Sequence, residues 1–132
     1  MTGRTFVDTS ALWACLDARD ERHAMSETLA RFPRWLTTNY VVDELLTLAL
    51  ARRGARAALR LAEHLWCGQV AAVEWVSEDD ERRARELFVR FAAAGASFTD
   101  CTSFAVIERL RVAVALSFDR HFALPGTFIV RP

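Results

Sequence analysis

The sequence predicts an α/β fold in which helices cover both faces of a mostly parallel sheet. Three observations predict it. Apolar runs of strand length alternate with helical-period segments along the whole chain. The clearest run, Val112–Phe118 (VAVALSF), is almost continuously apolar, the pattern of a strand buried on both faces. The prolines Pro33, Pro125 and Pro132 fall between these segments or at the end, and no repeat or low-complexity tract interrupts them.

Residues 4–7 (Arg-Thr-Phe-Val) read as a short buried strand ending at Asp8. Asp8 or Thr9 caps a helix through Ala11, Leu12, Ala14 and Cys15. A second helix covers about 21–32 and stops before Pro33, because a proline disfavours helical backbone in the preceding residue. Residues 34–38 form the next strand, and Thr38 or Asn39 caps a longer helix through Val41, Val42, Leu45, Leu46, Leu48 and Ala49. Gly54 punctuates that helix, and a new one runs to about Cys67 with Gly68 as its C-cap. Residues 71–76 are the third strand. Ser77 opens a helix whose first turn, Glu78-Asp79-Asp80-Glu81, sets acids against the positive end of the macrodipole, and which ends near Gly95. Thr99 and Asp100 start another through Phe104, Ala105, Ile107 and Leu110. Residues 112–118 and an edge strand at 127–130 complete the sheet.

A chain of 132 residues, 52% hydrophobic and 26% charged, fits one globular domain over 1–132. No apolar run is long enough for a membrane span, and the N-terminal MTGRTFVDTSALWA has no secretory-signal pattern. Cys15, Cys67 and Cys101, an odd and widely spaced set, suit free thiols in a reducing cytoplasm. There is no lysine; 17 arginines balance 17 acids. Whole-molecule attraction to a polyanion is therefore weak, and a nucleic acid would need a local basic patch, a metal ion or both.

In parallel sheets ligands bind beyond the carboxyl ends of the strands. Asp8 follows the first strand, Asp119 follows 112–118, and Asp100 opens a helix. A fourth acid lies one turn into the helix after the second strand, where periodicity does not choose between Asp43 and Glu44. Each has a purely structural alternative: Asp8 as a helix cap, Asp100 as helix-start electrostatics, Asp119 as an ion pair with Arg120. Gathered together, such carboxylates would repel one another unless a hard divalent cation, Mg²⁺ or Mn²⁺, offset them.

Phe-Val-Asp-Thr-Ser-Ala-Leu (6–12), Thr-Thr-Asn-Tyr-Val-Val-Asp-Glu (37–44), Ser-Phe-Thr-Asp-Cys-Thr-Ser-Phe (97–104) and Ser-Phe-Asp-Arg-His-Phe (117–122) together resemble the PIN domain, and more closely the VapC-type toxins of bacterial toxin–antitoxin modules. The resemblance implies a three-layer α/β/α sandwich with about five parallel strands and Mg²⁺- or Mn²⁺-dependent endoribonuclease cleavage leaving 5′-phosphate and 3′-hydroxyl ends. It implies Asp8, Glu44, Asp100 and Asp119 as the catalytic, metal-binding acids, with Ser10 and Thr99 as supporting hydroxyls. Many relatives carry a further acid where this chain has Ser117, so one tightly held ion is expected, with another arriving alongside RNA. A homodimer and a small antitoxin that wraps the toxin are implied as well. Two rivals are a PIN nuclease acting in RNA processing or on DNA without a toxin role, and an inactive PIN-like RNA- or protein-binding module.

Among other residues, Arg120 beside Asp119 is the first choice for a phosphate contact. Arg52, Arg56 and Arg60 recur every four residues; on an unbroken helix they would form a basic stripe able to contact RNA phosphates, but Gly54 interrupts the register and a solvated face is the preferred reading. His121 is either a general acid or buried between Phe118 and Phe122; His23 and His64 read as exposed. Cys101 reads as a packing residue, and Trp13, Trp35, Trp66 and Trp75 as core.

Overall fold

The computed structural model describes residues 3–132; Met1 and Thr2, the start of the segment read for a secretory signal, lie outside the described residues. Its elements in chain order are β1 (Thr5–Val7), α1 (Thr9–Leu16), α2 (Ser26–Ala30), β2 (Trp35–Thr38), α3 (Asn39–Trp66), β3 (Ala72–Glu74), α4 (Glu78–Phe91), α5 (Phe98–Leu110), β4 (Val114–Leu116) and β5 (Ile129–Arg131). The five strands form one all-parallel sheet in the order β3-β2-β1-β4-β5. The expected α/β architecture and strand number are both found. No helix is long and apolar enough to cross a membrane among the described residues.

All three residues of β1 are buried, as the central position requires. Connections run outward from β1 to β3 and then return across the sheet to β4. Since parallel crossovers are right-handed, α1 and α3 cover one face, while α4 and α5 cover the other. Packing agrees: α1 lies on α3, and α4 lies on α5. Between sheet and helices sit Phe6, Leu36, Val41, Leu45, Val106 and Leu116, none more than 1% exposed. Phe122 stacks on Phe6 at 6.1 Å between ring centroids and meets Phe104 edge-on at 5.1 Å, closing the core under β4.

Three local outcomes differ from the sequence reading. The helix expected over about 21–32 is a short 3₁₀ turn at His23–Met25 followed by the five-residue α2. Upstream, the Asp17 and Asp20 carboxylates accept hydrogen bonds from the backbone of Arg19 (3.1 Å) and Arg22 (2.8 Å). These turns satisfy backbone donors that a helix would otherwise need. Secondly, α5 begins at Phe98, one residue early. Ser97 caps it, and Asp100 is its third residue, exchanging both capping-box bonds with Ser97 at 3.0 Å. Thirdly, Trp66 and Trp75 are 70% and 72% exposed, not core. The expected break in α3 is present: Gly54 has φ 83° and ψ 175°, a conformation confined to glycine.

An ion pair ties the start of α4 to the end of α5. Asp80, 3% exposed, receives both Nε and Nη2 of Arg109 at 2.8 Å, and Arg109 also reaches Glu74 at 3.0 Å. Burial alone would raise the Asp80 carboxyl; Arg109 and the Ser77 capping bonds outweigh it and hold the group below the usual carboxylate range. Replacing Arg109 with Met leaves that buried carboxylate with only its cap. Urea unfolding should show a loss of roughly 2–4 kcal/mol; a change under about 0.5 kcal/mol would mark the pair as an ordinary solvated link.

Candidate metal-binding active site

The strand order reverses at β1: chain progress runs from β1 through β2 to β3 on one side, then resumes at β4 on the other. Such a switch point opens a crevice at the carboxyl ends of β1 and β4. Asp8 is the first residue beyond β1, and Asp119 lies three residues beyond β4. Glu44 enters from the second turn of α3 and Asp100 from the first turn of α5. All four line one cleft of about 470 Å³.

The local bonding shows why each carboxylate faces this crevice. Asp8 occupies the N-cap position of α1 but makes no capping bond. Its Oδ2 instead accepts from Ser117 Oγ at 2.9 Å and Ser10 Oγ at 3.3 Å. Those hydroxyls accept in turn from the backbone of Asp119 (3.0 Å) and Phe118 (2.9 Å). Two serines thus join Asp8 to the loop that carries Asp119. Thr9 Oγ1 donates to Glu44 Oε1 at 2.5 Å, pinning α3 to the start of α1. Asp119 Oδ1 accepts from the His121 backbone at 2.9 Å and lies 2.7 Å from His121 Nδ1. Behind that ring is Gly95 at φ +101°, where a Cβ would come within 2.6 Å of His121 Nε2. Glycine therefore serves both the backbone turn and the imidazole packing.

Each of three carboxylates keeps one oxygen without a partner among the described residues: Glu44 Oε2, Asp100 Oδ1 and Asp119 Oδ2. Ligating atoms of Asp100, Asp119 and His121 all lie within 4.8 Å of one another. Burial pushes the Asp8 carboxyl from 3.8 up to about 7; Asp100 and Glu44 push the same way, against the Ser117 bond. Asp100 is raised too, by burial first, with Asp119 and Glu44 adding to it against the Ser97 bonds. Oxygen donors with free lone pairs, mutually repelling and opening on one crevice, fit a hard divalent cation.

The position after Asp43 resolves what periodicity left open. Asp43 is exposed, whereas Glu44 is half-buried and hydrogen-bonded at the cleft. Ser10 is in the Asp8 network. Thr99 flanks Glu44 in an adjoining groove, and its hydroxyl bonds none of the four carboxylates. Arg120 is exposed and does not line the cleft; Arg22 and Arg52 do, together with a fifth acid, Asp20. Sequence reasoning missed Thr9, Ser117, Asp20 and Arg22 as site components. Ser97 carried a readable signal, the Ser-x-x-Asp capping box; the rest depend on contacts between distant segments. His23 is half-buried, its Nδ1 2.7 Å from the Ala14 carbonyl, while His64 is exposed as read. Burial lifts the Cys101 thiol to about 11, so it is protonated at neutral pH and unsuited to nucleophilic attack.

A raised Asp8 pKa has a definite sign in stability. Between about pH 4 and 7 the unfolded chain ionises this carboxyl while the folded one keeps its proton, so stability is full below 3.8 and declines as pH rises through about 7. The shift corresponds to roughly 4 kcal/mol. In chelator, thermal unfolding should occur at higher temperature at pH 5 than at pH 7.5, and Asp8→Asn should remove most of that difference and raise stability at pH 7.5. Mn²⁺ should stabilise the unsubstituted chain more at pH 7.5 than at pH 5, since it competes with the proton. A melting temperature indifferent to pH and to Asp8→Asn would contradict this electrostatic account.

Comparison with known proteins agrees with this architecture. The PIN domain family matches residues 5–126. The 23S rRNA-specific endonuclease VapC20 of Mycobacterium tuberculosis is 40% identical over 130 residues, covering 96% of this chain and 98% of that protein. The crystal structure of M. tuberculosis VapC20, described as a Sarcin-Ricin loop cleaving toxin, superposes with a TM-score of 0.86 at 38% identity, covering 97% of this chain and 99% of that one. VapBC-1 from nontypeable Haemophilus influenzae shares the fold at 14% identity, with a TM-score of 0.71 and coverage of 97% and 96%. With the switch-point cleft and these likenesses together, the chain belongs to the PIN domain family and, within it, to the VapC-type toxins.

Proposed function

We propose that this chain is an endoribonuclease dependent on Mg²⁺ or Mn²⁺, a single PIN domain over 1–132 that cuts 23S rRNA in the cytoplasm as the toxin of a toxin–antitoxin pair. One observation carries the reading: Asp8, Glu44, Asp100 and Asp119, from four separate elements, meet at one cleft in a chain 40% identical to an endonuclease of 23S rRNA.

The roles follow from the bonding. Glu44, Asp100 and Asp119 offer their unpartnered oxygens as ligands, and Asp8 supplies the innermost carboxylate. A bound divalent cation supplies Lewis-acid polarisation of a phosphoryl oxygen and offsets charge that builds up in the transition state. Thr9, Ser10 and Ser117 hold the carboxylates in register, so that little reorganisation accompanies the reaction. Water attacks phosphorus in line and the bond from phosphorus to the 3′ oxygen breaks, leaving a 5′-phosphate and a 3′-hydroxyl.

An antitoxin is the natural partner of such a cleft. Five acids, Asp8, Asp20, Glu44, Asp100 and Asp119, face it, so an inserted basic side chain would find ready counter-charges. A homodimer fits the other exposed feature. Trp66, Trp75 and Val73 line one apolar groove of about 580 Å³ with Tyr40, Val42 and Leu46, beside the edge strand β3.

Asp100→Asn should lower the rate of 23S rRNA cleavage by at least about a hundredfold under saturating Mn²⁺, since removing one charge-stabilising group costs this much; an unchanged rate would refute the assignment. Expression of the unsubstituted chain alone should arrest growth, and co-expression with its cognate antitoxin should relieve the arrest. Light scattering should give a dimer mass, and Trp75→Arg a monomer with cleavage chemistry retained; a monomeric unsubstituted protein would remove the dimer from this reading.

A further inference from the structure

The cleft holds two cations that the acid cluster does not use. Arg22 and Arg52 both line it, and apart from His121 they are the only basic residues that do so among the described residues. Neither forms an ion pair among the described residues, although five carboxylates share the cleft. Some arginines elsewhere in the fold are committed to acids: Arg53 to Asp17 at 2.6 Å, Arg109 to Asp80 and Glu74, and Arg83 to Glu86 and Glu108.

Aromatic rings hold these two instead. The Arg22 guanidinium lies 4.9 Å from the centre of the Phe118 ring, and that of Arg52 lies 5.7 Å from the Trp13 ring. Phe118 directly precedes Asp119, and its backbone N–H is bonded to Ser10. Trp13 lies on α1, lines the same cleft as Asp8 and is 5% exposed, a fixed platform. Arg52 follows Glu44 by two helical turns, so Glu44, Leu48 and Arg52 form one row along the cleft. Asp20, the cleft acid nearest in sequence to Arg22, spends Oδ1 on the Arg22 backbone N–H.

Stacking leaves the donor edge of a guanidinium free while limiting its rotamers, the arrangement suited to bidentate phosphate contact. RNA entering a cleft with five carboxylates needs such contacts, because a cation at the cluster offsets charge only locally. We propose that Arg22 and Arg52 form a two-point phosphate clamp, each gripping a backbone phosphate of the RNA flanking the scissile bond. The inference rests on the nuclease reading and deepens it, adding substrate-positioning residues beyond the acids.

The test separates the clamp from a structural role and from the parent reading. Anisotropy of a fluorescein-labelled hairpin copied from the Sarcin-Ricin loop is measured against Asp8→Asn protein, which binds without cutting, over a range of KCl. Arg22→Gln and Arg52→Gln added to it should each weaken binding about 5- to 10-fold and lower the slope of log affinity against log salt by about 0.7–0.9. Arg22→Lys and Arg52→Lys should recover part of the affinity. Arg56→Gln, beyond the Gly54 kink, should change it less than twofold. In the otherwise unsubstituted chain, calorimetry should find Mn²⁺ binding unchanged or tighter after either glutamine substitution, because a repelling cation is gone.

RNA affinity that stays within twofold, an equal loss in Arg56→Gln, or Mn²⁺ and RNA binding that weaken together would each overturn the clamp. In those cases cleavage by the unsubstituted chain leaves the nuclease reading standing. An unsubstituted chain that neither cuts nor binds the hairpin overturns both.

Discussion

Mutual repulsion among carboxylates at the carboxyl ends of β1 and β4 is the constraint around which this molecule is arranged. Asp8 is 4% exposed at the end of the most buried strand, with Asp100 and Glu44 both acting on it electrostatically. A fold optimised only for its own stability would place an apolar residue or an arginine there. Burying like charges together is tolerable when something else enters to offset them, which makes the cluster a strained receptor for a cation.

The scaffold around that cluster is made of short hydroxyl side chains. Thr9, Ser10, Ser97 and Ser117 each give one hydrogen bond to an acid or receive one from its backbone. Hydroxyls both donate and accept, so they relay backbone N–H groups to carboxylates without adding a charge. They hold one oxygen of an acid and leave the other open, whereas an arginine would take both. Asp80 illustrates the second outcome, with both oxygens on Arg109.

Arginine therefore has two distinct uses here. On α4 and α5 it forms pairs such as Arg83–Glu108 and Arg85–Glu81, which are exposed and add little to stability one by one. At the cleft, Arg22 and Arg52 lie over the faces of Phe118 and Trp13 and form no ion pair among the described residues. A chain of zero net charge thereby presents a strongly anionic hollow with cationic edges, a local pattern that total charge conceals.

Hydrophobic periodicity and punctuation sufficed to read the alternating elements outside the segment before Pro33, the break at Gly54 and the acids just past strands, because these signals act over a few neighbouring residues. Roles were a different matter. Ser77-x-x-Asp80 and Ser97-x-x-Asp100 are the same capping box in the sequence, and both are built in the structure. Asp80 meets Arg109 and is held ionised despite its burial; Asp100 is pushed toward its neutral form by burial first, with Asp119 and Glu44 adding to it. Likewise Asp43 and Glu44 flank one apolar stripe, yet one faces solvent and the other Thr9, 35 residues away in the chain. Local pattern establishes that a carboxylate sits at a helix start; which charges surround it there depends on segments far apart in the chain, since electrostatic energy is set by distance in space and burial, not by separation along the backbone.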